Sequence, residues 1–172
     1  MTALIPVPDS GLAWRDWFSA LMLDGRAVLR RYPGVARRIV VVGPTMPSAM
    51  STIDTGIKVL QRAGFGEPAT EIYRYLINSV FMLVAVEDDQ ENFPGARASM
   101  RKTLTAFAAD ADRPGLAFAA AQAVGWSIEP ADLAKQALAF FQMTVDRSLD
   151  GAEAMLTGDA SRRGRCPHCG AA

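Results

Sequence analysis

Cysteine and histidine are almost missing from this chain of 172 residues, which holds two cysteines and one histidine. All three fall in the closing stretch RCPHCG, as Cys166, His168 and Cys169. No disulfide framework therefore spans the fold, and the body of the chain has no histidine for a Ser-His-Asp or Cys-His catalytic set. An excess of one charge is missing too. Lys plus Arg and Asp plus Glu number 18 each, for a formal net charge of +0, which argues against a self-sufficient nucleic-acid binder. The opening MTALIPVPDSG lacks a basic segment followed by an apolar run, so it does not read as a signal peptide. The longest apolar stretch, YLINSVFMLVAV, is short for a membrane span and carries Asn78 and Ser79. No internal repeat is visible. These absences point to a soluble, cytoplasmic protein that is not an enzyme and needs no cofactor.

What is present is an ordinary globular composition, 50% apolar and 21% charged, with chain enough for one domain and its own core. After a proline-bearing leader, LAWRDWFSALMLDGRAVLRRY sets Trp14, Trp17, Phe18, Leu21, Gly25 and Val28 at three- and four-residue spacing. That is the apolar face of a helix, which Pro33 and Gly34 stop. The run Ile39 to Val42 in VARRIVVVG fits a strand by propensity and equally fits the end of a short helix. GPTMPS then breaks the chain. Met50, Ile53, Ile57 and Leu60 mark a second amphipathic helix, capped by Gly64.

From about Glu67 to Glu87 the pattern is apolar nearly all round, with Ile72, Leu76, Val80 and Leu83 on one side and Tyr73, Ile77, Phe81 and Val84 on another. Such a helix must be covered on two sides. EDDQENFPGA reads as a mobile acidic loop. An Ala-rich helical stretch broken at DRPG follows, then a long helix opened by Ser127 and Pro130 with Phe140, Phe141, Val145, Leu149, Ala152 and Leu156 as apolar positions. The expected fold is all-α, with about five or six helices.

The order of these segments resembles the C-terminal regulatory domain of TetR-type transcriptional regulators. The resemblance is carried by WRDWFSALMLDGRAVLRRYPGVARRIV, GPTMPSAMSTIDTGIKVLQRAGF, the apolar IYRYLINSVFMLVAVED and the late FFQMTVDRSLDGAEAML, and it covers Leu12 to Leu156. Each motif is degenerate alone; their order and spacing are specific together. The family begins with a helix-turn-helix, whereas here the regulatory pattern is reached by Trp14, so DNA contact is expected only through a reader domain missing from this chain.

The resemblance implies a helical bundle that dimerises through a four-helix bundle, with a leader over residues 1–11, an effector-binding and dimerisation domain over 12–157 and a disordered tail over 158–172. It implies a function as the effector-sensing part of a repressor that binds a mainly apolar small molecule. The alternative is a regulator deficient in DNA binding that pairs with an intact paralogue. Expected ligand-lining residues are Trp17, Phe18, Leu21, Met46, Met50, Ile53, Ile57, Tyr73, Ile77 and Phe81, with Asp54 and Asn78 as orienting polar groups. Pockets of that kind are mostly apolar with a few fixed polar atoms, although each apolar residue fits plain core packing and Asp54 fits a solvent-facing position equally. The expected homodimer interface is Leu76, Val80, Leu83, Phe141, Val145, Leu149, Gly151 and Ala152. Gly151 inside a helix costs about 1 kcal/mol against Ala, which makes sense where a neighbouring backbone passes close.

Tetracycline-type members hold a metal chelate through a His near the Gly-Pro break. IVVVGPTMP has none and Glu87 alone holds no divalent ion, so no metal site is expected there. Arg26, Arg30, Arg31, Arg37 and Arg38 read as a solvated face. Asp146 and Asp150 lie one turn apart, as any exposed helix face allows. In RCPHCG, Cys166, His168 and Cys169 supply at most three of the four ligands zinc needs, leaving only a site shared between two tails; no strand precedes them to build a redox centre.

Overall fold

The computed structural model describes residues 5–93, 95–127 and 129–156, and these form seven α-helices: α1 (Trp14–Leu29), α2 (Val35–Val42), α3 (Pro47–Arg62), α4 (Ala69–Glu91), α5 (Ala96–Thr105), α6 (Pro114–Ala123) and α7 (Pro130–Leu156). Among the described residues there is no strand. The motif around Cys166 and Cys169 lies outside them.

The central element is α4, which packs against α1, α2, α3 and α7. Its buried stripe, Ala69, Ile72, Tyr73, Leu76, Val80, Val84 and Asp88, recurs at three- and four-residue steps, as a single helix face must. Trp17, Phe18, Leu21, Met22 and Leu29 of α1 and Phe141, Val145, Leu149 and Ala152 of α7 close the same core. By length and apolarity α4 is able to cross a membrane, more than its longest uninterrupted apolar run suggests. Packing against four other helices buries one face of it, 33% of its most apolar window. The hairpin of α5 and α6 packs chiefly on itself.

Local chemistry explains the joints. At the end of α3, Gly64 takes φ 96°, a left-handed conformation that glycine adopts without steric cost. Its N–H reaches the Gln61 carbonyl at 3.0 Å and that of Phe65 reaches the Leu60 carbonyl at 3.2 Å. This is a Schellman stop, and it delivers the Phe65 ring onto Trp14, 5.1 Å between centroids. The described part of the leader is tied down as well. The Trp17 Nε1–H donates to the Pro8 carbonyl at 3.1 Å and Arg62 donates to that of Ser10 at 2.5 Å.

One open reading is decided and two local expectations need correction. Ile39 to Val42 finishes helix α2, with Ala36 and Ile39 inward and Val40 to Val42 exposed; docking on α4 outweighs β-propensity. On α3 the buried positions are Ala49, Gly56, Val59 and Leu60, while Met50 is 48% exposed, because the flat backbone at Gly56, not Met50, meets the core. The acidic stretch after Val86 is no loop: Glu87 to Glu91 complete α4.

Candidate functional site

The aromatic residues of α1 and α4 meet in one layer. Trp17 and Phe18 lie 4.8 Å apart, and Phe18 and Tyr73 6.0 Å apart, both edge to face, a favoured arrangement for ring quadrupoles. Gly56 of α3 forms the floor. A Cβ there would stand 2.5 Å from the Tyr73 ring and 3.1 Å from that of Trp17, so the rings lie directly on backbone. Trp17, Phe18, Leu21 and Tyr73 are buried in one cluster, Ile53, Ile57, Ile77 and Phe81 pack half-buried against it, and Met46 is half-buried. Burial pushes the Tyr73 hydroxyl up to about 12, since the phenolate would lose its hydration. That hydroxyl makes no hydrogen bond with another described residue.

The two polar groups expected to orient a ligand are placed elsewhere. Asp54 faces solvent in an ion pair with Lys58 at 2.7 Å, and Asn78 is exposed with Met50. Around Asp54 there is an open polar notch of about 580 Å³ bordered by Ser10, Thr55, Lys58, Gln61 and Arg62, outside the aromatic layer. The structure thus gathers the apolar members of the expected set, Met46 and Met50 excepted, and separates Asp54 and Asn78 from them.

Beside the layer, two of the arginines read as a solvated face, Arg26 and Arg30, are instead held half-buried by the end of α4. Arg26 grips Glu87 side-on, Nε at 3.1 Å and Nη2 at 3.0 Å, and its guanidinium lies 5.3 Å over the Phe141 ring of α7. Arg30 reaches Glu87 at 3.4 Å, Asp88 at 2.5 Å and Glu91. Burial works to lower the Arg30 pKa, and the hydrogen bonds it donates to Glu91 and Asp88 outweigh it, leaving the group above its ordinary value. Arg37 pairs with Asp89 at 3.5 Å on the exposed rim. Arg31 and Arg38 remain exposed.

Asp88 is the centre of this lock and was not singled out by sequence reasoning. It is 5% exposed, and its second oxygen accepts the Gly34 N–H at 2.9 Å. Gly34 is the residue preceding α2, at φ 83°. A buried carboxylate thus satisfies an orphan donor at the start of α2 while neutralising Arg30 of α1. The signal that would have found it is charge complementarity between the arginines before and after PG and the run Glu87, Asp88, Asp89, Glu91.

The expected interface residues divide. Leu76, Val80, Phe141, Val145, Leu149 and Ala152 are buried within the protomer, Leu83 is half-buried and Gly151 is exposed. The buried six belong to the chain's own core, with Ala152 at its edge, where it also borders a surface groove. The same two helices carry other apolar side chains outward: Tyr75, Met82 and Val86 on α4, and Phe140, Met143 and Met155 on α7, each at least half exposed. Between them Ile72, Tyr75, Gly151, Ala152 and Met155 line a groove of about 300 Å³. A Cβ at Gly151 would meet nothing within 4 Å, so its missing side chain serves no contact inside the protomer.

Among the described residues no three His, Cys, Asp or Glu side chains are grouped to hold a metal ion. Asp150 pairs with Arg147 at 3.0 Å and with Arg15 of α1.

The described residues form an all-helical bundle with a central apolar helix and an aromatic layer. Comparison with protein-family models places the match at the tetracyclin repressor-like, C-terminal domain, over residues 7–156. The chain belongs to this family, and with it to the ligand-sensing regulatory domains of TetR-type proteins. Neither the curated proteins nor the solved structures contain a match.

Proposed function

We propose that this chain is the effector-sensing, dimerising part of a cytoplasmic TetR-type repressor. The observation that carries the reading is the family match from residue 7 to residue 156. The effector is a mainly apolar small molecule that enters among α1, α3 and α4, parting the Trp17, Phe18 and Tyr73 rings from Gly56. The Tyr73 hydroxyl, which makes no hydrogen bond with another described residue, donates to an acceptor on the ligand. A ligand carbonyl or ether oxygen is an acceptor that this hydroxyl can use.

Pairing uses the outward stripes of α4 and α7, with Gly151 admitting a neighbouring backbone. Helix α1 is the transmitting element, because it supplies rings to the layer at Trp17 and Phe18 and guanidiniums to the lock at Arg26 and Arg30. A ligand that binds better to an opened layer shifts the population toward a displaced α1. That displacement strains the Arg30 to Asp88 contact and the start of α2. Output then passes to a helix-turn-helix that these helices position.

A thermal-shift screen of neutral apolar molecules, run on wild type and Tyr73→Phe, tests this. Hits should raise the melting temperature of the wild type and raise it less in Tyr73→Phe. Hits that shift both equally remove Tyr73 from the proposed site.

A further inference from the structure

Five arginines among the described residues are half-buried: Arg15, Arg26, Arg30, Arg97 and Arg101. The first three each hold carboxylates. Arg97 and Arg101, one turn apart on α5, form no ion pair among the described residues. Taking a cation partly out of water without a counter-charge is unfavourable, so this pair departs from the pattern set by the rest of the chain.

The surroundings of Arg97 show what is lacking. Its guanidinium lies 5.3 Å from the centre of the Trp126 ring, and its Nη2 donates to Gln136 Oε1 of α7. Its Nε is buried with no acceptor. Arg101 Nη1 donates to the Trp126 carbonyl at 3.0 Å, which holds the second charge close by.

Arg26 provides the comparison within the same chain. There the Nε and Nη2 edge grips both oxygens of Glu87. At Arg97 the equivalent edge meets one amide oxygen, which satisfies one donor and leaves the other empty. A carboxylate carries two oxygens at the spacing this edge presents, and an amide carries one.

We propose that Arg97 and Arg101, with Trp126 and Gln136, bind the carboxylate of a small organic acid where α5 meets the start of α7, the carboxylate taking the place of Gln136 on Arg97. The site lies apart from the Tyr73 layer and stands whether or not that layer takes an effector. Because α5 and α6 pack chiefly on each other, an occupant here fixes their hairpin against α7.

The test titrates the chain of 172 residues with sodium acetate, octanoate and benzoate, each against its primary amide, at constant ionic strength. Calorimetry and Trp126 fluorescence, the latter by difference from Trp126→Phe, report binding. At least one acid should bind saturably at one per chain with a dissociation constant of about 1 mM or tighter, while its amide does not. Arg97→Gln and Arg97→Lys should each weaken it by about tenfold or more, since an ammonium lacks the side-on fork.

Gln136→Glu supplies the carboxylate from within. It should abolish binding and raise the melting temperature by about 2 °C or more. Because that variant adds a partner rather than removing one, it decides the matter even where Arg97→Gln loosens the hairpin. Acids and amides binding alike, no saturable binding by any of the three acids, or a Gln136→Glu protein no more stable than wild type would each overturn the proposal.

Discussion

Replacing Asp88 probes the lock between α1, α2 and α4 at its most buried point. In Asp88→Ala two things are lost together: the acceptor for the Gly34 N–H at 2.9 Å and the 2.5 Å contact to Arg30. Loss of a helix-start acceptor costs about 1 kcal/mol, and loss of a charge-assisted hydrogen bond about 1.5–3 kcal/mol. Arg30 is not orphaned, because Glu87 at 3.4 Å and Glu91 stay beside it. The total therefore falls near about 3 kcal/mol, the low end for breaking a buried pair. Asp88→Asn keeps a carbonyl oxygen for Gly34 and loses only the charge, at about half that cost.

Urea unfolding followed by circular dichroism gives both values, at one fixed protein concentration because pairing adds a mass-action term. Arg37→Ala is the internal control. Its pair is exposed and 3.5 Å long, so it should change stability by less than about 0.5 kcal/mol. Asp88→Ala within that same margin would refute the reasoning, and so would equal costs for Ala and Asn.

Tyr73 makes stability fall at high pH. Its hydroxyl is pushed up to about 12 by burial, so between its ordinary value of about 10 and that point the unfolded chain ionises while the folded one does not. Stability is complete below pH of about 10 and is lost as pH rises toward about 12, by on the order of 2 kcal/mol, and Tyr73→Phe should flatten that part of the profile. An unchanged profile in Tyr73→Phe would place the titration elsewhere. Gly56→Ala drives a Cβ to 2.5 Å from the Tyr73 ring and should cost about 1–3 kcal/mol. The cost should shrink in a Tyr73→Ala background, and additivity in that double-mutant cycle would argue against the contact.

Helix periodicity made much of the fold legible. The steps at Trp17, Phe18 and Leu21, at Ile72, Leu76 and Val80, and at Phe141, Val145 and Leu149 place α1, α4 and α7 and most of the core, because inward faces repeat with the helical turn. Two things escaped that logic. A helix apolar all round has no privileged face in the sequence, so the division of α4 and α7 into core residues and outward residues such as Tyr75, Met82 and Met155 depended on where the partner helices lie. Asp88 escaped because its partners, Arg30 and Gly34, are distant in sequence, and an acidic run before a proline reads locally as a turn. The aromatic layer was half legible: its rings sit on apolar faces, but the role of Gly56 as their floor is visible only once Tyr73 is seen against it.

The central claim is that α4 and α7 leave an apolar face for a second copy. Sedimentation velocity at micromolar concentration tests it directly, on wild type and on Tyr75→Glu combined with Met155→Glu. Both positions are more than half exposed in the protomer, so the double variant should keep its helical content. The wild type should sediment at twice the 18.5 kDa chain mass and the variant at the single-chain mass. A wild type that sediments as a compact monomer would contradict it.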